Sequence, residues 1–358
     1  MTEAEKQKVY VKLQDYATSL EKSDSGKLIN SNVKFYMKYL SIVFLISGMY
    51  YLSYFFPESI LSYVATFLLA VSIAHMGMTV FHELGHRAIM KGSEYVADFL
   101  YYVTCSVSGY SGALWRHKHN ALHHVYTNVS AGLEEYSDPD VSEYPINMTS
   151  DPSLNKFYQN YQHFYAWFLY LFLATSMQVQ SIRHFFTKMT KSERFTYMIC
   201  QVFHFTMFFV APLALGNDLG TVVIKYAIVS ATASFTLAMI FQMAHIVDNV
   251  PVIALTNSEA KERFTDMSEV DMFYHQLETT SNFSVDSAFM AYFTGGLTHQ
   301  VEHHLFPSVS FHHYPKISRF LRKTLDNHGA IAEYKHNTFF GSVKAHYRAL
   351  KAGTCGGV

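Results

Sequence analysis

Four runs of apolar residues dominate the chain, each close to the ~20 residues that a helix needs to cross a bilayer. Tyr39–Phe56 and Ser59–Val80 form one pair, separated by a tight Pro57-Glu58 turn. Phe195–Leu215 and Thr221–Met243 form another, joined by Gly216-Asn217-Asp218-Leu219-Gly220. Lipid offers no partners to exposed peptide groups, so the pattern predicts four spanning helices and an all-α membrane protein. A fifth run, Phe164–Met177, is shorter, and its flanks carry Gln162, His163, Gln178 and Gln180. It is expected to lie along the membrane surface, as amphipathic segments of that length do. Residues 1–32 read as a polar lead-in, 33–340 as one membrane domain and 341–358 as a C-terminal tail.

Composition agrees with that picture. Half of the residues are hydrophobic and only 15% are charged, too apolar for an ordinary soluble domain. A net charge of −1 offers no field for nucleic acid, and no such partner is expected. Cys105, Cys200 and Cys355 are far apart and odd in number, which argues against both a disulfide framework and a thiolate metal site. Lysines 6, 8, 12, 22, 27, 34 and 38 crowd the start, and Arg183, Lys188, Lys191 and Arg194 precede the third run. The turns on the other side hold only Glu58 and Asp218. Positive residues stay inside, so both termini are expected in the cytoplasm, at a bacterial inner membrane or the endoplasmic reticulum. The sequons at Asn128, Asn147 and Asn282 should then go unglycosylated.

Against this background the 20 histidines stand out, because imidazole is the commonest metal ligand. His82-Glu83-Leu84-Gly85-His86 closes the second run, with two histidines one helical turn apart. The same string fits a zinc protease, with Glu83 as general base. A second cluster holds His119, His123 and His124, the last rotated about 100° from its neighbour on an α-helix. A third holds Gln300, His303 and His304, followed by Pro307 as a helix stop. His245 ends the last run. If these groups share one site they share one side of the membrane, and the number of crossings between Val125 and His245 must be even. That condition is what places Phe164–Met177 in the interface. His117 points away from His119, and the remaining histidines lack a partner at ligand spacing.

A catalytic zinc needs three protein ligands. The clusters supply too many for one ion, so two ions are expected, and iron is the O2-using choice among imidazole-binding metals. The three boxes resemble those of the membrane fatty acid desaturases, over about Val33 to Phe340. Gln300-Val-Glu-His-His-Leu-Phe-Pro resembles the subgroup of front-end and bacterial acyl-lipid or acyl-CoA desaturases, where glutamine replaces the first histidine of the last box. Trp115-Arg116, His119-Asn120 and His123-His124-Val-Tyr-Thr-Asn128 are similarly close.

The resemblance implies a four-helix membrane base with a cytoplasmic helical cap. It implies iron ligands at His82, His86, His119, His123, His124, His303 and His304, with His245 and Gln300 at matching positions. Glu83, Asn120, Asp248 and Glu302 are candidates to orient the imidazoles; Glu134 and Glu135 fit either that role or a solvated loop. The implied reaction reduces O2 to water while removing two hydrogens from a fatty acyl chain carried by a lipid or CoA. No His-Pro-Gly-Gly haem motif occurs, so electrons are expected from a separate cytochrome b5, or a ferredoxin with its reductase. A hydroxylase on the same scaffold is the nearest alternative. The zinc protease reading lacks a third ligand within a span.

Overall fold

The computed structural model describes residues 1–57, 59–131, 135–141 and 156–353, with side chains at all of these but 156–159. Glu58, Glu134, the Asn147 sequon and Cys355 lie outside the described residues. Helix accounts for 74% of the described residues, and four of the described helices are long and apolar enough to span a membrane. They are Ser31–Phe55, Ile60–Gly85, Lys191–Ala214 and Leu219–His245. Most run beyond the apolar stretch that announced them, because the hydrogen-bond ladder carries the helix into polar flanks. The short run near 164–177 belongs to a longer helical stretch: Lys156–Leu169, a 3-10 turn at Tyr170–Phe172, and Leu173–Thr187.

The chain divides into two compact units, one made of Ser31–Arg116 and Trp167–Met239, the other of Met1–Asn30, His117–Ala166 and Ile240–Val358. In the unit built on the spans, Phe35, Ile42 and Ile46 of the first span meet Leu69, Ile73 and Met76 of the second. Lipid makes every unpaired polar group costly, and the unit shows how they are met. Pro212 has no N–H to donate, and a π turn at Thr206–Val210 falls just before it. Tyr50 Oη donates to the Met207 carbonyl in that turn, at 2.6 Å. The helix Glu94–Ser108 ends on Gly109 at φ 74°. Its closing carbonyls at Val107, Ser108 and Gly109 face His204 Nδ1 (3.1 Å), Gln178 Nε2 (3.2 Å) and Gln201 Nε2 (2.8 Å). A Cβ at Gly109 would stand 2.8 Å from both Gln178 and His204, so only glycine fits. His204 therefore has a structural part, as its isolation in the sequence suggested.

The second unit begins with a surprise for a polar lead-in. Glu3–Ser25 is a helix with a Thr2–Glu5 capping box. Its Val9, Leu13 and Ala17, four residues apart, pack with Phe273, Leu277, Ile317 and Leu321. Phe339–Ala352 is also a helix. Two parallel ladders of two residues each tie the loops, Val129–Ser130 against Ile253–Ala254 and Asn282–Phe283 against His336–Asn337.

Candidate metal centre

Within the second unit the second and third histidine clusters and the end of the last span come together. Ligand-capable atoms of His123, His245 and His304 lie within 4.8 Å of one another, as do those of His124, His303 and His304. Ring centroids are 4.6 Å apart for His123–His245, 4.8 Å for His245–His304 and 4.3 Å for His124–His304. His119 joins them, 4.8 Å from His124 and 6.1 Å from His303.

Local structure explains how residues of one cluster face one point. His117–His123 is a π-helical turn, not the α-helix that the spacing suggested. On an α-helix residues five apart diverge by about 140°. Here the His124 N–H bonds to the His119 carbonyl at 3.0 Å, and i→i+5 bonding brings the two rings toward one side. His117 is exposed, as its phase implied. In the third cluster, Gly295 and Gly296 both take positive φ before the helix Gln300–Leu305. A Cβ on Gly296 would meet Phe311 Cβ at 2.6 Å, so the turn closes only with glycine there. Asn282 Oδ1 accepts from the Val301 N–H (2.9 Å) and fixes the start of that helix.

The outward nitrogens of three rings are held by other side chains. His123 Nδ1 sits 3.1 Å from both oxygens of the buried Asp138 carboxylate. His304 Nδ1 donates to Gln276 Oε1 at 2.9 Å, while Gln276 Nε2 donates to the His124 carbonyl at 2.8 Å. His303 Nδ1 lies 3.2 Å from Tyr314 Oη. Such bonds set tautomer and ring angle and leave the inner nitrogen to bind a metal. Burial, then the neighbouring imidazoles His124, His245, His123 and His119, push His304 well below its ordinary value, so the ring is neutral. Burial would also depress His123, but the Asp138 carboxylate overrides it and raises the ring to about 9. His304 Nε2 and Gln300 Oε1 are buried with no hydrogen-bond partner among the described residues. Buried polar atoms are normally satisfied. A metal displaces the inner proton of His123, and lone pairs aimed into a shared space are what an iron or zinc ion requires, so the residues fit a metal site.

The first cluster belongs to the span-bearing unit. His82 and His86 have ring centroids 4.7 Å apart, both facing Trp115 at 5.8 and 6.0 Å. A Cβ on Gly85 would lie 2.3 Å from Trp115 Cζ3, which explains the glycine between the two histidines. Glu83 is buried.

Several partners escaped the sequence reading. Asp138, Gln276 and Tyr314 had no spacing signal that linked them to a histidine. Of the carboxylates singled out, Asp248 pairs with Arg348, and Glu302 takes Asn282 Nδ2 (2.8 Å) and Tyr334 Oη (3.1 Å). Burial raises Glu302 to about 7. Asn128 and Asn282, read as sequons, are fully buried with their side-chain Nδ2 groups engaged.

Fold and site together define a helical membrane protein with a buried, histidine-lined centre. The chain belongs to the fatty acid desaturase family, whose model matches residues 58–334. It is similar to the sn-1 linoleoyl-lipid 6-desaturase of Synechocystis sp., 27% identical over 92% of this chain and 91% of the relative. The enzyme of the same name from Arthrospira platensis is 26% identical, over 79% of this chain and 76% of its own length. The acyl-lipid (8-3)-desaturase of Physcomitrium patens is 28% identical, over 98% of this chain and 72% of the relative. The chain is thus an oxidoreductase that desaturates fatty acids.

Proposed function

We propose that this enzyme introduces a double bond into the acyl chain of a membrane lipid, with O2 as co-substrate and two iron ions as cofactor. The observation that carries the reading is the set of imidazoles at His123, His245, His303 and His304, all buried, and the half-buried His124, with outward nitrogens of three held by Asp138, Gln276 and Tyr314. His119 lies beside them, and Gln300 offers a buried amide oxygen. His82 and His86 are assigned as ligands on their sequence pattern. When bound, the irons would supply the activation of O2 and the removal of two hydrogens from adjacent methylenes, a reaction no amino-acid side chain performs alone.

The residues do the rest. Asp138 and Gln276 hold protons at the outer nitrogens of His123 and His304, so that inner lone pairs stay available. Burial excludes water that would compete with the substrate. A lipid-borne acyl chain is favoured over a CoA ester because the similar enzymes carry acyl-lipid names. The electron donor assigned here is a separate protein, cytochrome b5 or a ferredoxin with its reductase. The lysine-rich start of the chain supports a histidine-bearing side at the cytoplasmic face. The working region extends past the expected 33–340, because the helix Glu3–Ser25 supplies part of its core.

Expression in a host of known lipid composition, followed by mass spectrometry that locates new unsaturation, tests this. His123→Ala and His303→Ala are expected to abolish the product while the protein still inserts. Full activity in either variant would remove the ligand assignment, and an added hydroxyl in place of a double bond would change the reaction class.

A further inference from the structure

A helix end leaves its last carbonyls without partners in the helix. At the end of the last span, beside His245, three consecutive carbonyls are taken by three separate parts of the chain. The Ser281 N–H donates to the Ala244 carbonyl at 2.9 Å, and Asn128 Nδ2 to the His245 carbonyl at 2.9 Å. His346 Nδ1 donates to the Ile246 carbonyl at 2.6 Å. Asn128 and Ser281 sit near other parts of the centre. His346 comes instead from the helix Phe339–Ala352, beyond the residues that the family model matches.

We propose that His346 is a positioning residue for His245: by holding the Ile246 carbonyl it fixes the backbone from which the His245 ring is presented. The C-terminal helix is then part of the metal centre rather than a tail. His346 is fully buried, and burial pushes its imidazole down to about 4, so it is neutral with its single N–H at Nδ1. The same helix holds residues 247–250 by two further contacts. Val247 and Val250 pack with Ala345, and Arg348 pairs with Asp248. Asn128 closes the far side through the Pro251 carbonyl at 3.2 Å. Metal–nitrogen bonds tolerate only about 0.2 Å of error, so loosening this turn moves His245 out of bonding range. The inference rests on His245 being a ligand.

Full-length protein purified in detergent is the material for the test, with iron content, Mössbauer spectrum and melting temperature as readouts. His346→Leu keeps the side-chain volume but has no donor. It is expected to weaken iron binding about tenfold and to alter the spectrum. His346→Asn, whose Nδ2 lies near the position of the lost Nδ1, is expected to restore both. Leu350→Ala, a packing loss on the same helix, is expected to lower the melting temperature without changing the spectrum. A parent-like iron content and spectrum in His346→Leu would overturn the proposal. So would loss of iron in Leu350→Ala in step with its melting temperature. His245→Ala separates the two levels of the argument. If it keeps all the iron, the ligand reading itself falls; if it loses iron while His346→Leu does not, only the clamp falls.

Discussion

At the scale of single residues, Asp138 decides which nitrogen of His123 faces inward. Both carboxylate oxygens lie 3.1 Å from Nδ1, and the group also accepts the N–H groups of Asn128 (2.8 Å) and Asp140 (2.9 Å). Asp138→Asn keeps the shape but removes the charge that favours a proton at Nδ1. Iron affinity is expected to fall 10- to 100-fold, the range for partners of metal-bound histidine, measured by titration of the metal-free protein. An unchanged affinity would show that His123 is oriented by something else. The histidines themselves were legible because four-residue repeats of a rare ligand type are visible in one dimension. Asp138 was not, since a carboxylate 15 residues away reaches His123 only after the chain has turned at Asn128, a non-glycine residue at φ 57°. Asp248 illustrates the converse. It follows His245 by three residues, yet the structure pairs it with Arg348, a cation no local pattern could have offered it.

At the scale of elements, the spans were readable because burying a peptide group in lipid leaves so few alternatives. The π turns were not. They add one residue per turn without changing which residues are apolar, and hydrophobic periodicity is blind to that. The turn at His117–His123 bears on chemistry, since i→i+5 bonding is what turns His119 and His124 toward one side. Deleting Lys118 from that turn is expected to convert it to an α-helix and rotate the downstream histidines by roughly 100° relative to the preceding helix. Helicity by circular dichroism should be nearly unchanged while bound iron is lost. Retention of iron after the deletion would mean that the extra residue plays no part in aiming the ligands.

For the whole molecule, the sequence reads as one membrane domain, and the chain forms two compact units, each built from stretches that are separate in sequence. The second is assembled from three stretches separated by the spans, so no local pattern announces it. Its interior is lined with buried imidazoles, and these make its stability depend on pH. Burial first, then Arg263, lowers His275 to about 4, and burial lowers His346 to about 4 as well. An unfolded histidine titrates near 6.5, so between about 6.5 and 4 the unfolded chain binds more protons than the folded one. By linkage, stability contributed by these two groups is complete above about 6.5 and is lost as pH falls toward 4, on the order of 3 kcal/mol apiece. His123 acts with the opposite sign and in another window. Its folded value is raised to about 9, so in metal-free protein its contribution is present below about 6.5 and disappears as pH rises through 9. The two effects do not overlap, and a thermal scan at pH steps from 7 down to 4 isolates the first. The melting temperature is expected to decline through that range, and His275→Gln, which carries no titratable proton, should decline less steeply. Equal slopes for parent and variant would mean that His275 is not held neutral, and that the acid sensitivity of this unit comes from its carboxylates.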